Sequence, residues 1–193
     1  MAVYQMPGST EELFKLIEWK SEYDCAVRTL NCQHKDTAIF LNKWFTDIKL
    51  QRIKQGRVAT YLDDKIQYFE HFCSQHFAFE EDVITILCTR FKFNPEHYEK
   101  HIACHKNFYS SLLKVLAEQI SYFKKHGDTT TIEDLIGDSL KDISRWWFYH
   151  ITTGERRTGG VSDNEYRSYI NSFSPHQKID LLNEIVSKSH LPD

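Results

Sequence analysis

The chain has 193 residues and a formal net charge of −3, so it is long enough to bury a sizeable core and carries no strong charge of either sign. No stripe of lysine and arginine stands out, which argues against nucleic acid or an anionic membrane surface as a partner. No apolar run approaches the roughly 20 residues that span a bilayer, so we expect no membrane partner.

The cysteines and the N-terminal residues indicate the cellular compartment in which the protein is expected. The five cysteines form an odd set without a CxxC pair, which is typical of free thiols that pack as small apolar groups. The N-terminus lacks the basic-then-apolar layout of a secretory signal. We therefore expect a cytoplasmic protein.

Four helical segments follow one another along the chain. Apolar residues recur at helical spacing over about residues 23–55 and again over about 58–90. Pro95 is placed to open a third segment that continues to about Lys125, and a fourth covers about 131–153. Short turns between long amphipathic helices imply antiparallel neighbours. We therefore predict an all-α fold, an antiparallel up-down-up-down four-helix bundle.

Two further segments flank the predicted bundle. Ser9 and Glu12 have the spacing of a capping box ahead of apolar residues, which predicts an N-terminal arm that packs on the bundle. Near the other end, Ser174 precedes one more amphipathic helix. We therefore divide the chain into a bundle domain, residues 1–160, and a C-terminal helical extension, residues 161–193.

Histidines and carboxylates recur on all four predicted bundle helices. Imidazole and carboxylate groups together suit iron, zinc or manganese. Seven such groups are too many for one ion and a natural number for two, so we predict a dinuclear metal site. The predicted ligands are His34, His76, Glu80, His101, His105, His150 and Glu155.

The number of residues between each candidate ligand and the connecting turn predicts that the ligands lie at the same height along the bundle axis. His76 and Glu80 are four residues apart, so both can face the same way on a helix. The same spacing relates His101 to His105. His76 and His105 are equally far in sequence from a point between residues 90 and 91, and so are Glu80 and His101. This point lies at the edge of the break at residues 91–95. Antiparallel helices would therefore bring the two pairs together.

The same reasoning chooses between neighbouring histidines. His97 lies four residues before His101, but this pairing moves the midpoint into the second helix, so we prefer His105. His71 has no carboxylate four residues on, so we prefer His76. The histidines expected at the surface or beside the ligands are His71, His97, His126, His176 and His190.

Glu155 is the least regular candidate. It follows His150 by five residues, about 140° on an ideal helix, so both can face inward only where the helix loosens. A π-type bulge near Gly154 would supply that loosening. Glu81, beside Glu80, is expected to be solvated.

These residues resemble the motifs of the hemerythrin family over most of the chain, from Trp19 to about Arg157. The matching motifs are W-x3-Y at Trp19 and Tyr23, the Gln33–His34 pair, HFxxEE from His76 to Glu81, HxxxHxxF from His101 to Phe108, and Trp146 ahead of His150 and Ile151. The resemblance implies a non-haem centre of two iron ions, joined by an oxo or hydroxo bridge, that binds O2 reversibly.

The resemblance also implies a role for each ligand. One iron would be held by three histidines and the other by two, which leaves the second iron an open position for O2. Glu80 and Glu155 would bridge the irons. The family usually carries Asp where this chain has Glu155, whose extra methylene would shift the backbone at the bridge, alter the redox potential or open the site to solvent. The implied division is His101, His105 and His150 on one iron, and His34 and His76 on the other.

Three functions follow from the predicted site. The leading hypothesis is reversible O2 binding for storage, delivery or sensing, with no catalytic residues, rather than an enzyme. The first alternative is a di-iron oxidase or peroxidase, or an enzyme that reacts with peroxide or NO. The second is an oxygen- or redox-sensing module of a signalling protein, for example one with a diguanylate cyclase output. In that case the C-terminal helix would mediate self-association or bind a protein partner.

Overall fold

The computed structural model describes residues 17–126, 132–152 and 163–188. These residues are mostly helical and contain no strand, which confirms the all-α prediction. In the same ranges, no helix combines the length and the apolar character that crossing a membrane requires.

The helices follow the predicted segments with some changes. In the described ranges they are α1 (Arg28–Lys49), α2 (Val58–Phe91), α3 (Pro95–Asn107), α4 (Lys114–His126), α5 (Gly137–Thr152), α6 (Asp163–Asn171) and α7 (Pro175–Lys188). The π-helical segment Phe108–Leu113 joins α3 to α4 without a break, so the third predicted segment is one continuous helix. A second π-helical segment, Ile132–Ile136, precedes α5. Neither π segment was predicted.

The turn between α2 and α3 has well-defined helix ends. Lys92 ends α2 in the left-handed conformation, with a φ of 59°. The Asn94 side chain caps α3 by accepting a hydrogen bond from the Glu96 N–H at 3.0 Å, and Pro95 occupies the first turn. The predicted break and the predicted start of the third helix are therefore confirmed.

The first helix begins later than predicted. Its first residue is Arg28, because the chain before it is held in a different conformation. The Asn31 side chain accepts a hydrogen bond from the Cys25 N–H at 2.8 Å and donates one to the Cys25 carbonyl at 2.7 Å. These bonds fold the preceding segment back on the first turn of α1.

The helix α6 was not predicted. It lies in the region assigned to the C-terminal extension, ahead of α7, whose predicted start is confirmed. Three predictions lie outside the described residues: the N-terminal arm as far as residue 16, the bulge near Gly154, and the position of Glu155.

Two hydrophobic clusters lie along α2. The first involves α1, α2, α4 and α5 and includes the fully buried Trp44, Phe69 and Trp147. The second joins α2 to α6 and α7, where Ile84 packs in one cluster with Ile170. His76 and Glu80 lie on α2 where the first cluster, which extends to Phe77, gives way to the second, whose buried α2 members begin at Val83, so apolar packing flanks them along the helix.

The helices contact one another in a pattern that surrounds this stretch of α2. Helix α1 contacts α2 and α5, and α2 contacts α3, α4 and α7. Helix α5 also contacts α4 and α6. The C-terminal helices therefore pack directly on the rest of the described protein.

Candidate metal centre

A buried cluster of histidine and glutamate side chains occupies the interior between helices. The side chains come from α1, α2, α3 and α5, and each residue is at most 2% exposed. Ionisable groups are rarely buried this completely unless they are paired or bind a metal. The members are His34, His76, Glu80, His101, His105 and His150.

The cluster divides into two groups of candidate metal ligands. Within each group, one ligand atom from each residue lies within 4.8 Å of the others. The larger group has Glu80 with His101, His105 and His150, and the smaller has Glu80 with His34 and His76. Glu80 therefore belongs to both groups, and the arrangement could hold a metal ion in each.

The larger group has the spacing that a shared ion requires. Oε2 of Glu80 lies 3.1 Å from Nε2 of His101 and 3.2 Å from Nε2 of His105. The same oxygen lies 3.4 Å from Nε2 of His150. Two ligand atoms that each bind one ion at about 2.1 Å lie about 3.0–3.4 Å apart at octahedral or tetrahedral angles. These side chains therefore fit a metal with little movement.

The smaller group is more open. Nε2 of His34 lies 3.8 Å from Oε1 of Glu80, and Nε2 of His76 lies 3.7 Å from Oε2. The buried Nε2 of His76 has no hydrogen-bond partner among the described residues. A buried polar atom without a partner costs free energy, so its presence calls for an explanation. A metal ion bound by this nitrogen would remove the cost.

Two further side chains orient the imidazole rings. Nδ1 of His76 lies 3.0 Å from Oε1 of Gln33, and Nδ1 of His105 lies 2.8 Å from Oε1 of Glu81. Because both partners are acceptor oxygens, each Nδ1 carries the hydrogen and donates it. Each ring can then present Nε2 to a metal, an arrangement common at metal sites. The expectation that Glu81 is solvated was wrong, since this bond holds its partly buried carboxylate against the site.

Burial keeps most of the imidazoles neutral. Loss of solvation lowers the pKa of His34, His101 and His150 to about 4, against an ordinary value of 6.5. The pKa of His76 is lowered well below 6.5 for the same reason. Neutral imidazole is the form that binds a metal, so these rings are ready to do so near pH 7.

Glu80 and His105 differ from the other groups. Burial alone would raise the pKa of Glu80, but His101 and the neighbouring histidines outweigh it and hold this pKa well below its usual range. Burial alone would lower the pKa of His105, but Glu80 and Glu81 outweigh it and raise this pKa. A metal bound by Nε2 of His105 would displace its proton.

Aromatic rings cover several of the imidazoles. Phe77 stacks on His105 with ring centroids 3.9 Å apart, and Trp146 stacks on His150 at 4.5 Å. Trp147 lies beside His76 at 5.1 Å. An apolar shell of this kind limits the access of water and influences the redox potential of a bound metal.

The structure brings six of the seven predicted ligands together, and Glu155 lies outside the described residues. His71 is exposed, as expected for a histidine outside the site. His97 is buried, and its Nδ1 lies 2.9 Å from Oε2 of Glu165 rather than facing Glu80. The choices made between neighbouring histidines agree with this geometry.

Two side chains at the site were missed in the sequence. Glu81 and His105 have their midpoint at residue 93, inside the turn, whereas the ligand pairs have theirs between residues 90 and 91, so the mirror argument applied to the ligands did not select Glu81. Tyr166 of α6 donates a hydrogen bond to Oε1 of Glu80 at 2.5 Å. The two residues are separated by 86 positions, and no spacing rule connects them.

Comparison with protein-family models, with curated proteins and with solved structures finds no match to this chain. The resemblance to hemerythrins therefore rests on the motifs in the sequence. The site rests on geometry: a buried cluster of five histidines and one shared glutamate that could hold metal.

Proposed function

We propose that the cluster holds two iron ions and that this hemerythrin-like protein binds O2 reversibly, for oxygen storage, delivery or sensing. The observation that carries the proposal is the membership of Glu80 in both ligand groups. A carboxylate has two oxygens and can bridge two ions. The three histidines in one group and the two in the other follow the division that the resemblance implies.

The donor atoms support iron over softer metals. Both groups contain only imidazole nitrogens and carboxylate oxygens, and no cysteine belongs to either. Such a set suits iron, zinc or manganese, whereas thiolate-rich sites favour zinc, copper(I) or iron–sulfur clusters. Among the three metals, the resemblance selects iron. When bound, a pair of ferrous ions supplies the electrons that reversible O2 binding requires.

The residues of the chain have distinct tasks in this proposal. The neutral imidazoles and Glu80 bind the metals, while Gln33 and Glu81 fix two of the rings. The group of His34 and His76 has fewer protein ligands, so it offers the open position for O2. Phe77 and the tryptophans of α5 keep water away from this position.

The finer architecture belongs to the same proposal. We infer that α1, α2, the continuous α3–α4 helix and α5 form the up-down-up-down bundle. The contacts of α1 with α2 and α5, of α2 with α3 and α4, and of α4 with α5 support it. The domain division at residue 160, Glu155 as a second bridge and the cytoplasmic location stay predictions. Self-association or a protein partner at the C-terminal helix also stays a prediction.

An oxygenation cycle tests the function. The protein is reduced without O2, exposed to O2, degassed and exposed again, while its optical spectrum is recorded. A reversible carrier or sensor gains an absorption band with O2 and loses it on degassing, with the ferrous state recovered. A spectrum that does not respond to O2 contradicts the proposal. Continuous consumption of O2 with reductant supports the oxidase or peroxidase alternative instead.

A further inference from the structure

Three consecutive residues of α6 contact three of the helices that carry the cluster. Oε2 of Glu165 lies 2.9 Å from Nδ1 of His97 on α3. The Tyr166 hydroxyl donates to Oε1 of Glu80 on α2 at 2.5 Å. Nη1 of Arg167 donates to the carbonyl oxygen of Ile151 on α5 at 3.4 Å. Helix α6 therefore lies against the site, although it follows all the helices that supply the described ligands.

Tyr166 belongs to the interior of the protein. It is 1% exposed and is a member of the second hydrophobic cluster. Its ring lies edge-on to His101, with centroids 6.1 Å apart, and to His97 at 6.4 Å. The apolar ring thus contributes to packing, while the hydroxyl enters the buried polar cluster.

The two oxygens of Glu80 have different neighbours. Oε2 faces the larger group, at 3.1 Å from Nε2 of His101, and also lies 3.7 Å from Nε2 of His76. Oε1 faces the Tyr166 hydroxyl and, at 3.8 Å, Nε2 of His34. A carboxylate oxygen has two lone pairs, so Oε1 can accept the phenol hydrogen and still bind a metal. A hydrogen bond from O–H to a carboxylate is short and strong, and it restricts rotation of the group.

We propose that Tyr166 is a positioning residue that fixes the shared carboxylate of Glu80, and that α6 forms one wall of the metal centre. This inference rests on the proposed metal site. It adds that the C-terminal segment is part of that site. Without the hydroxyl, Glu80 keeps its histidine neighbours but loses the contact that sets the direction of Oε1 toward His34.

Tyr169 provides a matched control on the same helix. Its hydroxyl donates to the carbonyl oxygen of Phe91 at the end of α2, away from the cluster. Its ring packs against the second hydrophobic cluster, as part of the same apolar interface. Tyr166→Phe and Tyr169→Phe therefore each remove one hydrogen-bonded hydroxyl from α6, but only the first removes it from Glu80.

The test compares metal binding by the full chain with these two substitutions. Iron affinity is measured by competition with a chelator, and the optical and Mössbauer spectra of the iron-loaded proteins are recorded. We expect Tyr166→Phe to weaken binding by about 10–100-fold at one of the two metals and to alter its spectrum. Tyr169→Phe is expected to bind iron with wild-type affinity and spectrum. Equal behaviour of the two variants overturns the inference.

A second substitution at position 166 keeps the test decisive if the Tyr166→Phe variant does not fold. Site-specific 3-fluorotyrosine retains the ring and the hydroxyl but makes the O–H a stronger donor. At position 166 it is expected to shift the spectrum of the iron-loaded protein, and at position 169 it is expected to leave the spectrum unchanged. An unchanged spectrum at both positions overturns the inference.

Metal binding by the wild type and by His101→Ala separates the role of Tyr166 from the existence of the metal site. If the wild type binds no metal, both are overturned. If the wild type binds iron and His101→Ala does not, the metal site stands. In that case, a Tyr166→Phe variant indistinguishable from Tyr169→Phe overturns only the role of α6.

Discussion

The charges inside the cluster depend on each other at the scale of single residues. Glu80 is fully buried, and the histidines around it hold its pKa well below the usual range. His105 has a raised pKa because Glu80 and Glu81 both contact its ring. In the metal-free site the protonated form of His105 is therefore favoured beside Glu80, and a bound metal would replace its proton as the positive partner.

The metal-free protein is expected to lose stability in mild acid. The pKa of His34, His101 and His150 is about 4 in the folded protein and 6.5 when unfolded. Between these values the unfolded chain binds protons that the folded protein does not, so stability falls as pH is lowered through this window. Each such histidine contributes up to about 1.4 kcal/mol per pH unit.

Urea unfolding of the metal-free protein at several pH values between about 6.5 and 4 measures this effect. The raised pKa of His105 leaves this slope unchanged, because its contribution is present below pH 6.5 and is lost only as pH rises above that value. A free energy of unfolding that stays constant or rises in acid would contradict this assignment of neutral histidines.

Glu81 is expected to affect metal binding without being a ligand. Its Oε1 accepts a hydrogen bond from Nδ1 of His105 at 2.8 Å. Glu81→Gln removes the charge and weakens the orientation of the ring, so we expect about 10-fold or more loss of iron affinity. Glu70→Gln, at an exposed position of the same helix, is the control and should bind iron as the wild type does. Equal affinities of the two variants would contradict this role.

At the scale of helices, the turn between α2 and α3 sets which ligands meet. His76 and Glu80 face His101 and His105 because the chain reverses between Phe91 and Pro95, next to the midpoint that their mirrored positions share. Regular helical spacing and a Pro-containing break made this part predictable.

The helix α6 could not be placed from its sequence. It has nine residues, and residues 153–162 separate it from α5, so no helical spacing relates it to the ligands. Its contact between Tyr166 and Glu80 depends on how the chain folds back, which local patterns do not encode. The π-helical segment after α3 was missed because its residues also suit an ordinary helix.

The end of α2 offers a test of backbone strain. Lys92 has a φ of 59°, a conformation that costs a residue with a Cβ atom about 1 kcal/mol and costs glycine little. Lys92→Gly is therefore expected to raise the free energy of unfolding by up to about 1 kcal/mol. Urea denaturation measures the change, and metal affinity should not change.

Lys114→Gly is the control for this substitution, because Lys114 is an exposed residue of α4. In a regular helix glycine is expected to cost about 1 kcal/mol, so the two lysines should give changes of opposite sign. Destabilisation by both substitutions would contradict the strain at Lys92.

At the scale of the whole molecule, a metal site would link distant parts of the chain. The ligands come from α1, α2, α3 and α5, so bound metal would connect four helices. Helices α6 and α7 share a hydrophobic cluster with α2 and would unfold with it. The two parts proposed on either side of residue 160 are therefore expected to unfold in one transition.

Removal of metal is expected to lower the melting temperature. A ligand present at about 1,000 times its Kd stabilises the folded state by about 4 kcal/mol. For a chain of this size, that corresponds to a change in Tm of about 8–16 °C. Thermal unfolding with iron and with a chelator measures the shift. In the His101→Ala variant the shift should disappear, and a similar Tm in the wild type with and without metal would contradict a site that spans four helices.

The number of metal ions per chain tests the central claim most directly. Wild type, His101→Ala and His71→Ala are purified from cells supplied with iron, and bound metals are counted by mass spectrometry. His71 is an exposed histidine on α2, so it controls for the loss of any imidazole. We predict about two iron ions per chain in the wild type and in His71→Ala, and fewer than one in His101→Ala. A wild type without bound metal, or a His101→Ala variant that retains as much iron as the wild type, would contradict the account.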